Sequence, residues 1–324
     1  MARIAVDVMG TDQGPAEIVA GAVLAAEAGH DVVLVGREEV VEPDLNAIGA
    51  DLPVVHAPEV VEMHDHPAKA VRDKPDSSVL TAARLVASHG ADALVSAGST
   101  GAAIAAASIV IGRIKGVLRP AIATPIPRPG KPVLLLDAGA NLEVRPVHLL
   151  QFGVMGAQLA EIVYGIERPR VGLLNIGAER AKGRDVERSA FELLEEAPVN
   201  FVGNLEGGDI IGEVADVFVT DGFTGNVALK TIEAAAGLVA RLIGRAFERL
   251  PEEVLPHIAA PMNEIREVID PARYGGAHLV GTSASVVICH GSSSRRAIFN
   301  AIRLATEGVK GGLIERLEHG LVRS

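Results

Sequence analysis

Short apolar runs alternate along the chain with longer segments of helical character. Ile4–Val8, Val32–Val35, Val54–His56, Ala93–Val95, Val133–Leu136, Val171–Asn175, Phe201–Val202, Val217–Thr220 and Val286–Cys289 read as strands. Ala16–Ala28, Ser78–Ser88, Ala102–Ile111, Val147–Tyr164, Asp185–Glu196, Val227–Leu250 and Arg295–Arg316 read as helices. Many strand runs are continuously apolar rather than alternating, which predicts strands covered on both faces in a mainly parallel sheet. The alternation predicts a doubly wound α/β fold with ligands at the carboxyl ends of the strands. No linker divides the chain, so residues 1–324 are expected to form one α/β domain. Pro120–Pro132 reads as a rigid connection.

Residues 227–270 break the alternation: helix follows helix, interrupted near Pro251 and Pro261. This predicts a helical hairpin protruding from the sheet. Arg241, Arg245 and Arg249 fall at i, i+4 and i+8, on one stripe. Such a hairpin suits dimer packing with a solvated basic face, or contact with an acidic protein or anionic lipid.

Four strand-like runs end in loops of glycine, small hydroxyl and amide residues: Ser96–Gly101, Asp137–Asn141, Thr220–Asn226 and His290–Ser294. Glycine lets backbone N–H groups approach a ligand, and a helix start carries partial positive charge, so such loops suit anions. Each also has a plain structural reading. Thr220–Asn226 makes a tight turn with an N-cap at Thr224 or Asn226. The small residues after Gly101 permit close packing, and Asn141 caps a helix or donates to an oxyanion. His290 either moves a proton near neutral pH or bonds a carbonyl. Arg295 and Arg296 oppose the dipole of the helix they open, which calls for an electrostatic partner. Cys289, next to His290, should face the opposite side and the core. Asp7 and Asp12, in the loop after the first strand, suit a hydroxyl, a lysine or a metal.

Composition narrows the field. Lys+Arg total 30 against 41 Asp+Glu, a formal net charge of −11, with only 3% aromatics; nucleic acid is an unsuitable partner. The single cysteine excludes an internal disulfide and suits a reducing cytoplasm. No run reaches the roughly 20 apolar residues of a membrane span, so membrane contact is expected only from the surface. His64-Asp-His66 lacks further ligands at set spacing, so no metal is expected. Neither a P-loop nor a dinucleotide fingerprint is present, and no cofactor is expected.

In Ile4-Ala-Val-Asp-Val-Met-Gly10, Ser96-Ala-Gly-Ser-Thr-Gly-Ala102, Gly112-Arg-Ile-Lys-Gly116, Leu136-Asp-Ala-Gly-Ala-Asn141, Arg170-Val-Gly-Leu-Leu-Asn-Ile-Gly177, Phe201-Val-Gly-Asn-Leu-Glu206, Val219-Thr-Asp-Gly-Phe-Thr-Gly-Asn-Val-Ala-Leu-Lys230, Tyr274-Gly-Gly-Ala277 and His290-Gly-Ser-Ser293 the chain resembles the bacterial phosphate acyltransferases of the PlsX family, nearly end to end. The resemblance implies a fold like that of phosphate acetyltransferases and isocitrate/isopropylmalate-type dehydrogenases. It implies a homodimer that transfers a fatty acyl group from acyl-acyl-carrier protein to orthophosphate. The acyl phosphate would feed a membrane glycerol-3-phosphate acyltransferase in phospholipid synthesis, with the hairpin giving peripheral membrane contact. Departures occur at Thr11 and Gln13, where the family has glycine and histidine, and at Ile288, where relatives often carry lysine. Ser99 departs too, in a loop the family writes Gly-Asn-Thr-Gly.

This chemistry needs few special residues. Phosphoryl groups have a second pKa of about 6 and thiols one of about 8.5, so nucleophile and leaving group are both competent near neutrality. Positioning and oxyanion stabilisation remain to be supplied. On this reading Ser99, Thr100, Gly101, Thr224, Gly225 and Asn226 hold phosphate and Asn141 orients the substrate. His290 assists proton transfer or holds phosphate, and Lys182 meets phosphate or the carrier's phosphopantetheine. Arg241, Arg245 and Arg249 meet the acidic carrier protein or membrane. Alternatives are a short-chain, coenzyme A-dependent phosphate acyltransferase, a decarboxylating dehydrogenase, and a membrane-associated scaffold that has lost catalysis.

Overall fold

The computed structural model describes residues 1–247, 251 and 255–322. Its strands are β1 (Arg3–Asp7), β2 (Asp31–Gly36), β3 (Val54–His56), β4 (Ala93–Ser96), β5 (Ala121–Ile126), β6 (Val133–Leu136), β7 (Arg170–Leu174), β8 (Asn200–Leu205), β9 (Val217–Val219), β10 (Ala277–Val280) and β11 (Ser285–Ile288). Its helices are α1 (Pro15–Glu27), α2 (Glu38–Ile48), α3 (Pro67–Asp73), α4 (Ser78–Ala87), α5 (Thr100–Ala106), α6 (Pro146–Tyr164), α7 (Asp185–Glu196), α8 (Gly222–Phe247), α9 (Leu255–Ile269), α10 (Arg295–Lys310) and α11 (Leu313–Val322). A π-helical turn, Ala107–Ile111, continues α5.

The strands join one 11-stranded sheet in the order β3-β2-β1-β4-β11-β10-β5-β6-β9-β7-β8. Two parallel lobes flank its centre: β3-β2-β1-β4-β11 and β6-β9-β7-β8. Between them the pairings β11–β10, β10–β5 and β5–β6 are all antiparallel. An odd number of reversals turns the second lobe against the first. The glycine-rich loops therefore fall into two groups, one per lobe.

Both central strands correct the sequence reading. Pro120–Pro132 is not only a connection; it contains β5 with Pro125 inside it. β10 pairs only Ala121–Ala123, so Pro125 has a strand neighbour on one side alone, a position where a sheet tolerates a missing N–H. Ala277–Val280, with a histidine in the middle, carries too little apolar signal to be read as β10.

Apolar clusters line both faces of each lobe, as continuous strands require. Phe152 and Phe218 are fully buried in the second lobe. One apolar cluster crosses the lobe boundary: it unites Ala102, Ala103 and Ala106 of α5 with Ala138, and Leu229 of α8 packs against it. At the amino end of the second lobe, Asp216 binds Arg128 at 2.8 Å and Arg170 at 3.0 Å. Burial opposes its charge, yet the Arg170 and Arg128 bonds win and hold the carboxyl down at about 2.

Residues 248–250 and 252–254 separate the described parts of α8 and α9, so Arg249, with Leu250 and Val254, lies outside the described residues. Arg241 and Arg245 are exposed on the outer part of α8, beside exposed Leu238, Val239 and Leu242.

Candidate active site

The first lobe ends in a cluster built on β1 and β4. Their register sets Asp7 opposite Ser96. The Ser96 hydroxyl donates to Asp7 Oδ2 at 2.7 Å, and the Met9 N–H donates to Oδ1 at 3.3 Å. The Gly98 N–H in turn donates to Ser96 Oγ at 3.3 Å. Burial pushes the Asp7 carboxyl up to about 6, against the opposing pull of Ser78, Ser96 and the Met9 N–H. Asp7, Ser78, Ser96 and Ser99 line a small pocket closed by Met9, Val61, Val79 and Ala102. Ser99 is the N-cap of α5 but forms no side-chain cap bond. Among the described residues, the backbone N–H groups of Ser99, Thr100, Gly101 and Ala102 meet no acceptor. Thr100 is exposed, and Gly101 packs so closely on Pro67 that an added Cβ would lie 2.4 Å from its ring.

β11 adjoins β4, and the Cys289 N–H donates to the Ser96 carbonyl at 2.8 Å. His290 therefore emerges beside the Ser96 loop, exposed. Its Nδ1 lies 2.7 Å from the Ser292 hydroxyl and 3.3 Å from the Ser292 N–H, and its Nε2 makes no hydrogen bond among the described residues. Cys289 is buried as alternation predicts, and burial pushes its thiol up to about 12, so it is no nucleophile. The arginines at the start of α10 find carboxylates: Arg295 pairs with Glu17 at 2.5 Å, and Arg296 with Glu267 and Asp270. Ile288, at the family's lysine position, is buried in the apolar cluster.

The second lobe's loops are tied to each other. Asp137, fully buried, accepts the N–H groups of Ile122, Gly139, Ala140 and Asn141 and the Asn141 side-chain amide. Burial raises its carboxyl above the usual range, and those donors oppose the rise. The Asn141 amide also donates to the Pro120 carbonyl at 2.8 Å, and its own carbonyl accepts the Gly222 N–H at 2.7 Å. The cap of α8 is Asp221, not Thr224 or Asn226: its carboxylate accepts the Thr224 N–H at 2.8 Å and hydroxyl at 2.9 Å. Arg184 donates to the same carboxylate at 2.6 Å and also grips Glu187. Gly225 lies against the Asp137 carbonyl, where a Cβ would fall at 1.9 Å; only glycine fits. The exposed Asn226 donates to the Ala138 carbonyl at 3.3 Å.

Asn141, Thr224, Gly225 and Asn226 are thus brought together, and Ser99, Thr100 and Gly101 form a second group. The apolar cluster shared by α5, Ala138 and Leu229 joins the two. Lys182 is exposed 3.8 Å from Glu179, with its N–H on the Glu179 carbonyl. Arg184, two residues on, is the basic group that reaches the α8 start. The Asp221–Thr224 spacing of a helix cap was the available signal for that anchor. A wide groove lies away from these loops, by α6, α11 and the amino ends of β7 and β8. Among the described residues, no helix is long and apolar enough to cross a membrane.

A large, mainly parallel α/β sheet with glycine-rich loops at its strand ends defines the structural class. Across it the phosphotransacetylase of Streptococcus pyogenes superposes with a TM-score of 0.65 at 18% identity, covering 95% of this chain and 94% of that one. The 4-hydroxythreonine-4-phosphate dehydrogenase of Klebsiella pneumoniae gives 0.57 at 13%, covering 94% and 99%. These likenesses speak for fold alone. Sequence goes further. A family model described as fatty acid synthesis protein matches residues 2–316. The phosphate acyltransferase of Desulfitobacterium hafniense (strain DSM 10664 / DCB-2) is 49% identical over 99% of this chain and 98% of its own length. That of Pelotomaculum thermopropionicum is 47% identical over 98% and 95%. The chain belongs to the phosphate acyltransferase (PlsX) family and is an acyltransferase.

Proposed function

We propose that this enzyme transfers a fatty acyl group from acyl-carrier protein to orthophosphate, releasing acyl phosphate for phospholipid synthesis. The observation that carries this reading is the loop at Ser99–Gly101. It offers N–H donors without acceptors beside His290, while the one thiol in the chain is buried and protonated. A site that binds an anion and lacks its own nucleophile suits a reaction in which phosphate attacks. A phosphate oxygen adds to the thioester carbonyl, the C–S bond breaks, and the phosphate proton passes to the departing thiolate. Ser99, Thr100 and Gly101 hold phosphate in this scheme. Asn141, Thr224 and Gly225, whose donors and backbone are engaged internally, form a rigid facing wall, from which the exposed Asn226 amide meets the substrate. His290 Nε2 serves the proton transfer, and Lys182 meets the incoming phosphopantetheine. Arg241 and Arg245 attract the acidic carrier, and the exposed Leu238, Val239 and Leu242 beside them support dimer or peripheral membrane contact.

A short-chain, coenzyme A-dependent reaction is the second reading, favoured by the structural likeness to phosphotransacetylases. Incubation with phosphate and either palmitoyl-carrier protein or acetyl-coenzyme A, followed by hydroxylamine trapping, separates the two. Palmitoyl hydroxamate from the carrier substrate supports the proposal. Product from acetyl-coenzyme A alone favours the second reading, and none from either overturns both.

A further inference from the structure

Asp7 is only 2% exposed, yet it is sparsely supported. A buried carboxylate needs donors or a cation. Asp7 receives the Ser96 hydroxyl and one long N–H bond, with the Ser78 hydroxyl also favouring its charge, and no ion pair with it occurs among the described residues. The groups facing it are Ser96 from β4, Ser78 and Val79 from α4, Ser99 and Ala102 from α5, Val61 from the segment before α3, and Met9 from its own loop. None of them titrates near neutrality. The adjoining loops carry Asp12, whose N–H donates to the Gly291 carbonyl, and His290.

Ser96 joins Asp7 to the anion loop, because its oxygen accepts the Gly98 N–H while its proton points at Asp7. A hydroxyl has one proton to give. If Asp7 carries its own proton, it can donate to Ser96, and the Ser96 proton is freed for another acceptor. Within the pocket only the neutral Ser78 and Ser99 hydroxyl oxygens could take it, and an anion at the mouth is a stronger acceptor. The Ser99 residue is 9% exposed and lines the same pocket, and its hydroxyl has no hydrogen-bond partner among the described residues. The pocket has room for about one water, so an oxyanion would sit at its mouth, against the N–H groups of Ser99–Gly101 that meet no acceptor, with the Ser99 hydroxyl free to reach it.

We propose that Asp7 and Ser96 form a proton-coupled positioning pair: an oxyanion bound at Ser99–Gly101 draws one proton from solvent onto Asp7, and the Ser96 hydroxyl turns from Asp7 toward the anion. This rests on the phosphate site proposed above. Repulsion acts in the same direction, since an anion beside ionised Asp7 favours the neutral acid. Burial already places that carboxyl near pH 6, so a further push carries it through neutrality.

Sulfate tests the idea, because it mimics phosphate without titrating near pH 7. Calorimetry of sulfate binding to the whole protein, in buffers of different ionisation enthalpy, counts protons taken up per anion. Wild type should take up close to one proton at pH 7, with sulfate binding about tenfold weaker per pH unit above 6. Asp7→Asn should bind sulfate with uptake below a third of that and a flat pH response. His290→Gln should keep the wild-type slope, which separates Asp7 from an imidazole. Uptake near zero in wild type, or equal uptake in Asp7→Asn, overturns the pair while sparing the phosphate site. Failure of sulfate to bind or to compete with phosphate removes the site reading as well. Should Asp7→Asn not fold, Ser96→Ala decides: uptake below half of wild type supports the coupling, and unchanged uptake refutes it.

Discussion

The two loop groups look alike in sequence but have opposite electrostatic economies. In the second lobe most donors near the strand ends are already taken within the protein, many of them by a carboxylate. Asp137 gathers four backbone N–H groups and the Asn141 amide, and Asp221 takes both donors of Thr224. In the first lobe Asp7 takes one hydroxyl and one long N–H bond, and the N–H groups after Gly98 stay unclaimed. A carboxylate inside a glycine-rich loop substitutes for the ligand, whereas one set behind the loop leaves its donors open. Glycine and hydroxyl residues alone do not distinguish an anion site from a self-sealed junction.

Removing the internal anion should give the largest effect. Asp137→Ala strands buried donors and is expected to cost on the order of 4 kcal/mol by urea denaturation. A loss under 1 kcal/mol would mean the second lobe does not depend on this junction. Next in size is a contrast in pH response. The folded-state carboxyl of Asp7 is raised to about 6, so the native state binds the extra proton and stability falls as pH rises from about 4 to 6, by roughly 3 kcal/mol. Asp216 is held at about 2, so its contribution of roughly 2 kcal/mol is present above pH 4 and lost as pH falls toward 2. Urea titrations across pH should show both limbs, with Asp7→Asn deleting only the upper one. Ser99→Ala should raise the phosphate KM about tenfold, as for a hydrogen bond to a charged group, and leave Tm within 2 °C; Thr224→Ala should do the reverse, lowering Tm more than it alters KM. Smallest is Arg245→Glu, expected to raise the carrier-protein KM about threefold at low salt, less as salt screens the exposed charge.

Much of the fold is legible because the parallel strands are buried on both faces and read as plain apolar runs. The central strands are not. Pro125 breaks the β5 signal, and β10 is four residues with His278 at its second position. Their reversal of the sheet is a tertiary fact that no local pattern carries. At the site, the sequence picks out the loops and correctly turns Cys289 inward. It does not show which donors are already taken, because that depends on how the folded loop turns its N–H groups onto Asp137 and Asp221 and on partners distant in the chain. Asp7 reaches Ser96 across 89 positions and Arg184 reaches Asp221 across 37. The cap at Asp221, by contrast, was written in its three-residue spacing from Thr224.

The buried Cys289 has a practical corollary. Its side chain lies in the apolar cluster with α1 and α10, so its sulfur meets solvent only when that packing parts. With no second thiol in the chain, the rate of alkylation by a small maleimide is a clock for that parting. Wild-type protein carries its own gauge, and a bound oxyanion that tightens the first lobe should slow it.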